Sequence, residues 1–346
     1  MPASPLLRRV RAGLLALAAL IVLSAGPTFA ACAGEDMVPQ LPAEERAELE
    51  AAAAAVSNGT ARLWRVEAPT GAVGYLFGTY HDTEAIETLT PAVEAAFAEA
   101  ERLAVELTHE EMSALEARLA ADPSFSLQTG PGGLAARLAE GLSPAERAAA
   151  EEVLAARGIT LGMATQLKPW LLFSLLGTPA CQLQAMGTGA AVLDTVLIER
   201  AEARGLPVSG LEDYETALGA FSTIDDASAL RLARDMLALA PQEEDIRRTL
   251  LTAYAAGQTG MIQAFADQVS RALPGRSSTE SDRTAEAFSE AVLDARNDAW
   301  MERLLPLMGK PGTFVAVGAL HLPDEGGLVA RLRAEGFTVT PIEEKP

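Results

Sequence analysis

The sequence predicts an α/β fold (of the α+β kind), with a central mixed β-sheet flanked by many helices. Two observations carry that expectation. First, the front of the chain runs strand, helix, strand: Val73–Phe77, a helix opened by Pro91, then the apolar stretch Leu103–Leu107. That order builds a sheet with parallel neighbours. Second, one phrase occurs twice. Gly71–Phe77 reads as a strand running into Gly78-Thr79-Tyr80-His81, and Thr313–Val317 reads as a strand running into Gly318-Ala319-Leu320-His321. The chain of 346 residues has only three histidines, and two of them close these strand–Gly-x-x-His units. The pattern predicts two loosely related halves whose imidazoles face one site.

The start of the chain reads as an address. Arg8, Arg9 and Arg11 precede the apolar run Ala12–Ser24, and small residues with Pro27 follow through Ala31. Residues 1–31 are therefore expected to be a secretory signal, too short and wrongly flanked for a stable span. Export to the periplasm or the exterior follows. A lipoprotein alternative exists, because Phe29-Ala30-Ala31-Cys32 approaches a lipobox. Removing the three arginines takes the formal charge from −20 to −23, so nucleic acid and anionic membrane surfaces are poor partners. Cys32 and Cys181 are the only cysteines, and in an exported chain an even pair predicts one disulfide.

Residues 32–60 are expected to form an N-terminal helical segment, with Pro42 in its first turn and alanine and glutamate through Ser57. Residues 61–346 are expected to form one catalytic-type domain with a helical insertion over about 108–205. Leu63-Trp64-Arg65-Val66 alternates, Ala68–Gly71 turns, and Val73–Phe77 returns as a hairpin. From Pro91 a helix is expected through Arg102, with Val93, Ala96, Phe97 and Ala100 on one face. The following strand carries Glu106, an acid where an unpaired buried carboxylate is costly. Amphipathic helix continues to Arg157, interrupted by Pro123–Gly133 and by Ser143-Pro144-Ala145-Glu146, a capping box with proline in the first turn. Lys168-Pro169-Trp170 starts a very apolar helix, Cys181 is expected in a loop after Pro179, and Val192–Arg204 is helical. Leu206–Leu211 is the next strand and delivers Glu212. Thr223–Ala272 is helical, divided by Pro241 and Gly257–Gly260. A long helix from about Arg283 to Leu305 holds Arg296 and Asn297, and Phe337–Ile342 is the last strand.

His81, Glu106, Glu212 and His321 thus stand at or near strand ends, where sheets with parallel strands collect ligands. Two imidazoles with one or two carboxylates suit a divalent metal such as zinc, manganese or cobalt, and a metal-bound water becomes a nucleophile near neutral pH. Arg296 or Asn297 would stabilise the oxyanion formed on attack at a carbonyl. The same groups also serve a metal-free general acid and base. His109, in a polar stretch, reads as a solvated loop residue, Asp194 as a helix cap, and Arg296 equally as the partner of a structural acid. Dinucleotide fingerprints, phosphate loops and the Gly-x-Ser-x-Gly elbow are absent from the sequence.

Several stretches resemble the TraB/GumN family: Leu63-Trp64-Arg65-Val66, Leu76-Phe77-Gly78-Thr79-Tyr80-His81, Val105-Glu106-Leu107 and Leu167-Lys168-Pro169-Trp170. Gly210-Leu211-Glu212, Ala295-Arg296-Asn297 and Val315 to Leu322 continue the likeness, in order, from about residue 60 to 342. That family is similar to the Tiki proteins, membrane-anchored metalloproteases with two Gly-x-x-His motifs and an essential glutamate. It also resembles in fold the erythromycin-esterase-like and haem-binding ChaN-like proteins. The resemblance implies His81, His321 and Glu106 as metal ligands, Glu212, Arg296 and Asn297 in support, and manganese or cobalt as the ion. It departs after Glu212, where the family often has a glutamine and this chain has Asp213-Tyr214-Glu215-Thr216. The implied activity is an exported metal-dependent hydrolase acting on a peptide or small-molecule substrate. The alternatives are a haem-like ligand-binding protein without turnover and a metal-free esterase.

Overall fold

The computed structural model describes residues 32–128, 132–275 and 277–344; the expected signal at 1–31 lies outside them. Six strands form one mixed sheet: β1 (Leu63–Glu67), β2 (Val73–Thr79), β3 (Arg102–Val105), β4 (Val208–Gly210), β5 (Thr313–Gly318) and β6 (Thr338–Pro341). Their order across the sheet is β4-β3-β5-β2-β1-β6. β4, β3, β5 and β2 are mutually parallel, while β1 pairs antiparallel with both β2 and β6. The two histidine-bearing strands are thus direct neighbours at the centre of the sheet.

The helices in chain order are α1 (Ala43–Ala55), α2 (Pro91–Ala98), α3 (His109–Ala121), α4 (Leu134–Glu140), α5 (Pro144–Ala156), α6 (Leu161–Ala164), α7 (Pro169–Gly177), α8 (Ala180–Gly187) and α9 (Leu193–Ala203). After β4 come α10 (Tyr214–Gly219), α11 (Asp226–Leu239), α12 (Glu243–Ala255), α13 (Thr259–Arg271), α14 (Ser278–Ser289), α15 (Ala295–Met308) and, after β5, α16 (Leu328–Ala334). Local chemistry sets several ends. Thr90 accepts the Val93 N–H with Pro91 in the first turn, and Ser143 and Glu146 close the expected capping box. α2 stops at Ala98, not Arg102: Arg102 and Leu103 are drawn into β3 by pairing with Thr313 and Phe314. Cys181 lies in the first turn of α8 rather than in a loop. The long helix begins earlier than expected, as α14, and crosses a π turn at Glu290–Asp294 before α15.

The sheet is buried on both faces. Leu63, Phe77, Leu103, Val105, Phe314 and Ala316 pack with α2, α9 and α12, while Trp64, Leu76, Ala104, Val315 and Val317 pack with α15 and α16. Alternation along β5 divides its residues between the two layers, as a period of two requires. A third core joins Leu134, Leu154 and Phe173 to Ile224, Ala229, Ala233 and Ala291, so the helical mass over the sheet combines the β3–β4 and β4–β5 connections. Cys32 and Cys181 form a disulfide with Cα atoms 5.4 Å apart. Among the described residues, no helix is long and apolar enough to cross a membrane.

Phe314 is fully buried at the hub of this core, with ring centroids 5.9 Å from Phe77 and, edge-on, 5.3 Å from Phe97. Phe314→Ala is expected to cost about 3–5 kcal/mol, as large-to-small core changes do. Urea unfolding should show a lower midpoint with an unchanged slope.

Candidate active site

Parallel pairing brings four strand ends to one rim. Thr79 of β2 is registered against Gly318 of β5, and Val105 of β3 is registered against both Ala316 of β5 and Gly210 of β4. The residues that leave these strands are His81, His321, Glu106 and Glu212, so the expected gathering of these side chains is observed. Each Gly-x-x-His glycine has its own reason. A Cβ on Gly78 would stand 2.8 Å from the Ala319 Cα, where the two strand exits pass. A Cβ on Gly318 would stand 3.2 Å from Glu106 Oε1, 3.4 Å from His321 Cδ2 and 3.7 Å from His81 Nε2, so glycine keeps the centre of the site clear.

The imidazoles are oriented from behind. His81 Nδ1 lies 2.9 Å from Asp194 Oδ2, and the other oxygen of Asp194 accepts from the Thr79 hydroxyl at 2.6 Å. Asp194 is therefore not the helix cap expected from sequence; Val192 holds that position, and the carboxylate reaches across to the His81 strand. His321 Nδ1 lies 2.8 Å from Asn297 Oδ1. The Asn297 amide nitrogen donates to the carbonyls of His321 and Gly326, which turns Oδ1 toward the ring and places the proton on Nδ1. His321 Nε2 is then an acceptor, and Arg296 Nη1 lies 3.3 Å from it. The Trp300 indole stacks under His321 at 4.3 Å and under the Arg296 guanidinium at 4.8 Å.

Arg296 ties the acids together. Its Nη2 donates to Glu106 Oε2 at 2.6 Å and also to Glu212 Oε1, while Glu106 Oε1 accepts the Gly318 N–H at 2.7 Å. Arg296 and Asn297 are thus not pointed at an open oxyanion position: one joins two carboxylates, and the other holds an imidazole. Glu212 is buried behind Arg296 rather than facing the cavity. His109 begins α3 and pairs with Glu202, apart from this group.

The two histidines titrate in opposite directions. The Asp194 carboxylate raises His81 to about 9 although enclosure opposes the charge. Burial drives His321 down to about 3. Burial also works against the Glu106 carboxylate, but the facing His321, Arg296 and His81 and the Gly318 N–H hold it down at about 2. Burial raises Glu212. The His81 side chain keeps 60% of its accessible surface and lines a cavity.

That cavity has a volume of about 670 Å³. Phe173 and Leu176 of α7, Met236 of α11, Leu250 of α12, Phe288 of α14 and Val292 give it an apolar wall. His81, Glu106, Arg296 and His321 form its polar floor. Asp194 and Trp300 were not singled out by sequence reasoning as parts of the site. For Trp300 a signal existed, since it lies one helical turn beyond Arg296 on the same face.

The donor chemistry suits a divalent ion. Both imidazoles have Nδ1 engaged, the arrangement in which an outer partner fixes a ligating histidine; His81 Nε2 borders the space above Gly318, while His321 presents Cδ2 there and turns Nε2 to Arg296 and Glu106. The spacing is another matter. Among the described residues no group of three or more His, Cys, Asp or Glu is drawn together as a metal-holding set, and the Arg296 guanidinium takes lone pairs of both Glu106 and His321. An ion above Gly318 therefore fits by ligand type and requires Arg296 to yield those contacts.

Comparison with protein families finds a match to the TraB/PrgY/gumN family over residues 62–341. No curated protein matches the chain.

The opposed titrations fix a pH dependence for the metal-free protein. His321 contributes stability above its unfolded value of 6.5 that is lost as pH falls toward 3, because the unfolded chain takes up a proton the fold refuses. His81 contributes stability below 6.5 that is lost as pH rises through about 9. Melting temperatures across pH should therefore fall on both sides of 6.5, and His321→Gln should flatten the acid limb. Asp194→Asn should flatten the alkaline limb and bring the His81 titration, followed by NMR, back toward 6.5.

Proposed function

The chain belongs to the TraB/PrgY/gumN family, and from that premise we propose that it is a metal-dependent hydrolase of amide bonds, acting on peptides with large apolar side chains. The observation that carries this reading is the convergence of two pre-oriented imidazoles and the Glu106 carboxylate above Gly318, under an apolar cavity. His81, His321 and Glu106 would hold the ion; manganese, cobalt and zinc all accept this donor set. When bound, the ion supplies Lewis-acid polarisation and a water of lowered pKa.

Geometry supports a need for that contribution. Glu106 Oε1 accepts from Gly318, Glu106 Oε2 from Arg296, and His321 Nε2 faces the Arg296 guanidinium. Water above the floor therefore meets no base that is not already engaged. The chain's own groups have the remaining tasks. The apolar wall seats the substrate's side chain and excludes bulk water, which strengthens every charge interaction on the floor. Arg296, joined to Glu106 and Glu212, keeps positive charge on the floor beside the reacting carbonyl. His81, held at Nδ1 by Asp194, would keep Nε2 for the ion, and the proton shed by the attacking water would pass to the leaving nitrogen as the carbon–nitrogen bond breaks. Asp194 and Asn297 keep the two rings from turning.

The enzyme is assigned to an exported compartment, in keeping with the Cys32–Cys181 disulfide, which persists in oxidising surroundings. A second reading takes the same cavity as a holder of an apolar ligand without turnover, favoured by its large apolar wall.

Titration calorimetry with each ion, followed by incubation with peptides bearing phenylalanine or leucine, separates these readings. The hydrolase should bind one ion per chain and release product, with activity lost to a chelator. His81→Ala or Glu106→Gln should lower kcat/KM by about 10²–10⁴, the usual weight of such groups, without unfolding the chain. Stoichiometric uptake of an apolar ligand with no product would favour the holder. Turnover indifferent to chelator would replace the metal with acid–base chemistry at the two histidines.

A further inference from the structure

The segment that follows His81 is held by a side chain outside the site described above. Gln182, in the first turns of α8, is buried and borders the same cavity. Its Oε1 accepts the Thr83 N–H at 3.0 Å, two residues beyond His81. That contact fixes the orientation of the amide, so Nε2 faces the other way and donates to Cys32 Sγ at 3.3 Å. Cys32 is itself buried and bonded to Cys181, the residue next to Gln182. One amide group therefore joins the disulfide to the backbone of the His81 loop.

The rest of the loop is held from α12. Arg247 donates to both oxygens of Asp82 at 2.5 and 2.8 Å and pairs with Glu84 at 2.7 Å. The N-terminal segment that carries Cys32 is tied to the same helix. Ala33 N–H donates to Glu244, Glu35 N–H to Asp245 and Met37 N–H to Thr249. α8 is anchored there as well, by Ala180 N–H to Glu243 at 3.0 Å. Arg247 thus holds the loop's acids, Asp194 holds the imidazole, and Gln182 holds the Thr83 backbone N–H that leaves the turn. Gln182 alone of the three also contacts the disulfide.

We propose that Gln182 is a positioning residue for His81, and that the Cys32–Cys181 disulfide sets Gln182, so that the geometry of the site depends on the oxidation state of this pair. The role in catalysis rests on the hydrolase reading; the positioning itself does not. In the reduced chain, a dithiol has exchanged with the disulfide. One of its thiolates attacks a cysteine sulfur, breaking the Cys32–Cys181 bond and releasing the other cysteine as a thiolate. The second thiolate then attacks the dithiol's own sulfur in the mixed disulfide and releases the first cysteine, and the two cysteines take up the dithiol's protons. The dithiol leaves as its own disulfide, and Cys32 and Cys181 remain as thiols. The N-terminal segment is then no longer covalently bound to α8. The Gln182 amide loses its fixed sulfur partner, and the Thr83 N–H loses a rigid acceptor.

Amide hydrogen exchange of the full mature chain reads this without any substrate. Relative to Val315 in the sheet core, the Thr83 amide should exchange about tenfold faster in Gln182→Ala, the effect of losing one hydrogen bond. It should also accelerate in the wild type after reduction with dithiothreitol, and in Cys32→Ser/Cys181→Ser. Gln182→Glu keeps an acceptor for Thr83 but loses the donor to sulfur. Its Thr83 amide should exchange at about the rate of the reduced wild type, and reduction should no longer change it. Where peptide hydrolysis is measurable, Gln182→Ala should lower kcat with KM unchanged, and Gln182→Glu should match the kcat of the reduced wild type. Thr83 exchange that is unchanged in Gln182→Ala, or that accelerates only in step with Val315, would overturn the positioning role. Reduction that accelerates Thr83 equally in the wild type and Gln182→Glu would overturn the link through the sulfur. Failure of peptide hydrolysis with the exchange pattern intact would count against the hydrolase and leave this inference standing.

Discussion

Parallel pairing of β2 with β5 is the constraint on which the remainder of the site depends. Five registered pairs, from Tyr75 with Phe314 to Thr79 with Gly318, align two segments from opposite ends of the chain. Because the strands run in the same direction, whatever follows each one emerges at the same rim. β3 and β4 extend that rim on the far side of β5 and add Glu106 and Glu212. The glycines of the two Gly-x-x-His units serve this pairing in different ways. Gly78 allows the strand exits to pass, and Gly318 leaves open the space that the imidazoles and Glu106 surround.

At that rim three charged side chains are withdrawn from water together. Arg296 stands between Glu106 and Glu212, with accessible surface on the three side chains of 12, 14 and 3%. Such a group is retained at a desolvation cost, and removing one member leaves an uncompensated buried charge, typically a loss of about 3–5 kcal/mol. Its effect on the histidines is specific. Burial, helped by the Arg296 guanidinium facing Nε2, disfavours a proton on His321, while Asp194 favours one on His81. Two like residues in like sequence contexts thus acquire opposite charge preferences, one from burial and one from a facing carboxylate. That divergence is the usual physical mark of a site where proton positions matter.

The helices over the sheet give the rim its enclosure. α7, α11, α12 and α14 present phenylalanine, leucine and methionine to the cavity, and α7, α11 and α14 pack against one another in a core of their own. Helices α8 and α9 between them hold the His81 loop, one by its backbone and one by its ring. The disulfide and the polar contacts of residues 33–37 fasten this arrangement to the start of α12. Apolar walls thus stand over a charged floor.

Much of this was legible in the sequence, because the signals are local. A strand followed by Gly-x-x-His, an acid at the end of an apolar strand, and Arg296-Asn297 in a helical period each name their residue without knowledge of the fold. The α/β class, the hairpin, the capping box at Ser143 and the pairing of the only two cysteines were legible for the same reason. What Asp194, Trp300 and Gln182 do was not, since each acts on a residue distant in sequence through a contact that exists only after packing. Nor did local pattern distinguish the roles of Arg296 and Asn297, which depend on neighbours from β3, β4 and the exit of β5. The sequence by itself determined which chemical groups stand at strand ends, because a period of two and a following turn are properties of a few adjacent residues. Only the tertiary structure decided that those ends share one rim, which imidazole carries charge, and how large a space lies above them, because strand order, burial and opposing charge are set by the whole chain at once.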